Sequence, residues 1–94
     1  MDADYMLACG VVWRKDADPV AGWELVEALE SRDPHVRLLA QELLVECGEA
    51  SMELLEKAVA TGVVGTNSAG PCMAAILRTR NQIAEWTSNE RTIN

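Results

Sequence analysis

The 94-residue chain predicts an all-α fold of about five short helices stacked as antiparallel hairpins. Three observations carry this. Ala, Leu and Glu, all good helix formers, are abundant. Two Asp-Pro pairs, Asp18-Pro19 and Asp33-Pro34, each place a capping side chain before the imino acid that suits the first helical position. After each pair the apolar residues recur at three- and four-residue spacing. The links between the first four segments are only a few residues long, and short links force neighbouring helices antiparallel.

The first helix is expected over residues 3–14, with Asp2 or Asp4 near its start. Val11, Val12 and Trp13 would also suit a strand, and Gly10 weakens a helix. The run 5–13 is apolar nearly all round, so it is either buried or paired with another chain. The second helix runs from Pro19 to about residue 31, capped by Asp18. Val20, Trp23, Val26 and Leu29 form its apolar stripe, and Glu24, Glu27 and Glu30 form a separate acidic ridge. The third runs from Pro34 to about residue 47, capped by Asp33 and stopped by Gly48. Val36, Leu39, Ala40, Leu43 and Leu44 share one face, with Leu38 and Val45 on a second, which implies a helix sandwiched between neighbours.

The fourth helix is expected over residues 51–61, ending at Gly62, with Met52, Leu55 and Val59 in one stripe. Residues 62–70 hold three glycines and no charge, which predicts a loop. The fifth helix is expected from Pro71 to about residue 86, with Cys72, Ile76, Ile83 and Trp86 on its apolar face. Residues 87–94 are polar and read as a frayed tail. The whole chain makes one small domain.

The net charge of −7 is unevenly placed. Residues 1–15 balance. Residues 16–56 carry eleven acids and two arginines, a net −9, and residues 57–94 carry a net +2. An acidic chain lacks the cationic surface that binds phosphate backbones, so no nucleic acid partner is expected. The acidic middle is a solvated face or a docking face for a basic partner, including a sister chain's basic C-terminal third.

With three Trp, one Tyr and no Phe, the core must be aliphatic. Cys9, Cys47 and Cys72 are odd in number and lie in apolar contexts, which suits buried thiols in a reducing compartment. No basic n-region precedes the apolar run 5–13, and that run is far short of the ~20 residues of a membrane span. A cytoplasmic protein without membrane association is expected.

The motif Asp33-Pro34-x-Val36-Arg37-x-x-Ala40-x-x-x-Leu44, then Gly48 and a new amphipathic segment, resembles the second helix of a HEAT repeat. That resemblance implies a helical repeat of two antiparallel helices. Residues 19–47 would be one repeat, 51–86 a second, and 3–14 a capping or remnant helix. The family's arginine maps to Arg37, and the acid usual six residues earlier is Ser31 here. Residues 71–74 carry no Val-Arg pair. The family implies a scaffold for protein binding, with no cofactor and no catalysis.

A second resemblance runs through Leu39-Ala40-x-x-Leu43, Gly48, Ser51 and Gly62-Val63-Val64, which is similar to a winged helix-turn-helix regulator. Residues 51–61 would be its recognition helix and 62–70 the start of its wing. That helix offers Glu53 and Glu56 against Lys57 alone, with no Arg, Asn or Gln to read base edges.

Catalytic chemistry finds few footholds. The loop 62–70 lacks the Gly-Lys-Ser/Thr ending of a phosphate loop. His35 is the one histidine, with no Cys cluster for a metal. Cys72, in the first turn of its expected helix, would feel a pKa-lowering dipole, but its apolar stripe favours an inert core thiol. No enzyme activity, cofactor, metal or small-molecule ligand is expected. The candidate partner-binding residues are Met6, Val12 and Trp13 on the first helix and Glu24, Glu27 and Glu30 on the acidic ridge. Trp13 is the expected exposed aromatic anchor. Nine consecutive residues of the run 5–13 cannot all be buried by so few helices, so a homo-oligomer or docked partner is expected there.

Overall fold

The computed structural model describes residues 3–93, with side chains described for residues 3–82. Five helices follow in order: α1 (Ala3–Asp16), α2 (Pro19–Ala28), α3 (Pro34–Glu46), α4 (Glu49–Ala60) and α5 (Thr66–Ile93). Among the described residues there is no strand. The fold is all-α, and Val11, Val12 and Trp13 are helical.

The two Asp-Pro starts form as their residue types dictate. Asp18 Oδ1 accepts from the Val20 N–H at 2.9 Å, and Asp33 Oδ1 accepts from the His35 N–H at 2.9 Å. Each satisfies one of the donors that a helix N-terminus leaves without a partner. Gly48 takes φ +58°, a left-handed conformation that stops α3 and turns the chain straight into α4 at Glu49. That early start brings Ser51 into the first turn of α4. Helix α2 stops at Ala28, and residues 29–31 continue as a tighter turn, bonding three residues back.

The packing follows the hairpins. α1 lies against α2 and α3, α2 against α3 and α4, and α5 against α3 and α4. Met6, Leu25, Val26, Leu44, Leu55 and Cys72 are fully buried at the centre. Two glycines allow the close approaches. A Cβ on Gly10 would lie 2.7 Å from Leu43 Cδ2, so the residue that weakens α1 as an isolated helix is what lets it close on α3. A Cβ on Gly22 would lie 2.6 Å from Leu54 Cδ2 and 2.9 Å from the Trp13 ring. One buried polar side chain sits in this centre among the described residues. Ser51 Oγ accepts from Trp13 Nε1 at 3.0 Å, tying α1 to α4.

Two expectations need correction. Residues 66–70 form the first turn of α5, not a loop, and Pro71 stands inside the helix. The reason lies in the turn after α2: Glu30 Oε1 accepts from the Gly65 N–H at 2.8 Å and Glu30 Oε2 from Ser68 Oγ at 2.9 Å. A carboxylate 35 residues away caps this helix, so no local capping motif is needed. The helix also continues to Ile93, through the stretch expected to fray. The expected apolar roles of Ile83 and Trp86 lie outside the described side chains.

Candidate protein-interaction surface

The two sides of α1 differ in fate. Met6, Cys9, Gly10 and Trp13 face inward and are buried. Asp4, Leu7, Ala8, Val11 and Lys15 face outward and are exposed. Leu7 keeps 47% of its surface exposed and Val11 52%, which is high for aliphatic residues four apart on one line. Arg14 turns towards α3, where its Nη1 lies 3.5 Å from Glu46 Oε2. On the other flank, Cys9 and then Glu24 hold the Tyr5 phenol above its ordinary pKa.

This arrangement revises the expected binding residues. Trp13 is not an exposed anchor: the residue is 7% exposed and its indole N–H is bonded to Ser51. Met6 is wholly buried. Both are used in the chain's own core, because a 14-residue helix with Gly10 on its inner side can settle deeply between α2 and α3. Val12 is half-buried. The apolar surface left over is carried instead by Leu7 and Val11. Their four-residue spacing, out of phase with Met6 and Trp13, was the available signal.

The acidic ridge separates into three fates. Glu27 is exposed. Glu24 is half-buried beside Tyr5. Glu30 caps α5, and the Gly65 N–H followed by the Ser68 hydroxyl lowers its carboxyl pKa. A helix N-terminus invites an anion, and here the chain's own Glu30 supplies it. No phosphate-loop geometry remains at residues 62–70.

Among the open grooves between helices, two flank the start of α5. One, of about 310 Å³, runs between α3 and α5 and is lined by Leu29, Pro34, Arg37, Leu38, Gln41 and Pro71 among others. Leu38, expected on a buried second face of α3, is 57% exposed at its edge. The Arg37 guanidinium donates to the Ser31 carbonyl at 2.7 Å. The other groove, of about 320 Å³ and almost wholly apolar, lies where α4 meets α5 and includes Val59, Ala60 and Met73.

Cys72 lies in the second turn of α5, not the first, and is fully buried, which pushes its thiol up to about 11. Burial, and then Glu46, also raises Cys47. His35 is an exposed residue of the first turn of α3. Among the described residues, no three His, Cys, Asp or Glu side chains converge as metal ligands, and no helix is long and apolar enough to cross a membrane. No protein-family model, curated protein or solved structure matches the chain.

Proposed function

We propose that this protein is a non-catalytic protein-binding or scaffold module of HEAT-like type, which self-associates or docks a partner through the outer face of α1. The observation that carries this reading is the exposed Leu7–Val11 line on a helix whose opposite side is fully used in the core. Soluble proteins seldom leave contiguous apolar surface without a use for it.

The helix contacts support the repeat-like part. α2 packs on α3 and α4 on α5 within hairpins, while α2 meets α4 and α3 meets α5 between them. That is the two-layer order of stacked two-helix repeats, with α1 closing one end. Arg37 reaches back to Ser31, six residues earlier, where the repeat family has an acid. The unreactive setting of Cys72 supports a binding role over an enzymatic one.

The test is a photoreactive residue placed at Leu7 in the native cellular setting. Cross-linking to a defined protein, the chain itself included, and its loss in a Val11→Glu variant are the expected results. Cross-linking that survives Val11→Glu, or none at all from Leu7, overturns the reading.

A further inference from the structure

We propose that two copies of this chain pair through α1, antiparallel about a twofold axis, with Asp4 of each copy against Lys15 of the other. The proposal rests on the self-association reading above and gives it a partner and a register. It starts from the outer line of α1, which reads Asp4, Leu7, Ala8, Val11, Lys15. At 3.6 residues per turn these five positions fall within roughly 60° of one line along the helix. All five are exposed, and the buried Met6, Cys9 and Trp13 stand on the opposite side. Helix α1 therefore cannot roll to hide this line without emptying the core.

The line is complementary to itself when reversed. An axis placed midway between Ala8 and Val11 sets residue 8 against 11 and residue 4 against 15, with Leu7 of each copy flanking the central pairs at the edge of the half-buried Val12. Apolar side chains then meet apolar side chains in the middle, and an acid meets a base at each end. A parallel arrangement sets Asp4 on Asp4 and Lys15 on Lys15, which repel. The charges thus select one orientation, as rim charges do at interfaces generally. Ala8, small and exposed, lets the two helix axes approach to about 8–10 Å. Arg14 does not compete for Asp4, since it is turned to Glu46 of its own chain.

A twofold contact of this kind uses the same patch on both partners and closes at the dimer. The patch is small. Leu7, Ala8 and Val11 bury only about a few hundred Å² per copy, below the roughly 600 Å² per partner of an ordinary specific contact, so a weak pairing is expected, with a dissociation constant on the order of hundreds of micromolar. The other apolar end, the groove between α4 and α5, would receive α1 of a second copy head to tail. That contact leaves both ends open and grows without limit.

Sedimentation equilibrium of the full chain, from low micromolar to near-millimolar at low salt, tests the pairing. The wild type saturates as a dimer. Asp4→Lys and Lys15→Asp each weaken it by roughly tenfold, and an equimolar mixture of the two variants restores it, because both charge pairs re-form in the mixed dimer. Both reversals also oppose the α1 dipole, so circular dichroism melts fall by roughly a few degrees in each variant and stay lowered in the mixture, which separates stability from pairing. A monomer throughout overturns self-association and the pairing together. Association that ignores both charge reversals, or that mixing fails to restore, overturns the pairing and leaves self-association standing. Growth beyond the dimer that Met73→Glu stops assigns the contact to the α4–α5 end, and the twofold pairing falls.

Discussion

The start of α3 and the start of α5 do the same job by different means. α3 begins at Asp33-Pro34, where the capping carboxylate is one residue before the helix. α5 begins at Thr66, where the capping carboxylate is Glu30, on the turn after α2. Both ends need their N–H groups satisfied. One solution is local and readable in four letters; the other exists only once the hairpins have stacked. A helix start without a local cap is therefore not evidence of a loop.

That contrast can be broken at four points. The largest effect is expected at Trp13, which joins the two halves through Ser51. Trp13→Ala should cost about 3–5 kcal/mol, since it opens a large cavity and strands a buried hydroxyl. Urea unfolding followed by both circular dichroism and hydrogen exchange checks it, and the α1 and α4 amides should lose protection together. Protection lost in α1 alone would mean that the halves are independent. Next comes Gly22→Ala, where the new methyl meets Leu54 and the Trp13 ring; about 1–3 kcal/mol of overpacking is expected in the same assay.

Asp33→Ala removes the local cap, and about 1 kcal/mol should go with it. The loss should be confined to the α3 start in a residue-resolved exchange measurement. The smallest and most selective effect is expected for Glu30→Gln, read as lower amide protection at residues 65–69. Its sign with pH is defined. The folded carboxyl lies below its ordinary value of 4.5, so its contribution is fully present above that value and disappears as pH falls through the lowered one. The gap between wild type and Glu30→Gln should narrow below pH 4.5 and vanish in stronger acid. A gap that stays constant into acid would remove the charge from the explanation.

How much was legible follows the same division. The all-α class, both Asp-Pro starts, the Gly48 turn and the burial of Leu44, Leu55 and Cys72 could be read from spacing and residue type. These features depend on neighbours within a turn or two. The start of α5, the burial of Trp13 and the capping role of Glu30 could not, because each depends on a partner about 35 residues or more away. The candidate surface was half legible. The run 5–13 pointed to α1, but its apolar composition all round hid which side would face out. Gly10 decided that question by marking the side that closes on Leu43, and it reads as a helix weakness until the neighbour is known.

The Glu30 cap also bears on the order in which the chain acquires its shape. During synthesis Glu30 leaves the ribosome 35 residues ahead of Gly65. The acceptor is therefore synthesised before its donors. α5 then has a ready template for its first turn, laid down by the part of the molecule already made. Refolding from denaturant must find the same contact by search, closing a loop of 35 residues. The α5 start should therefore form only when enough of the helix follows residues 65–68 to offset the cost of its first turn.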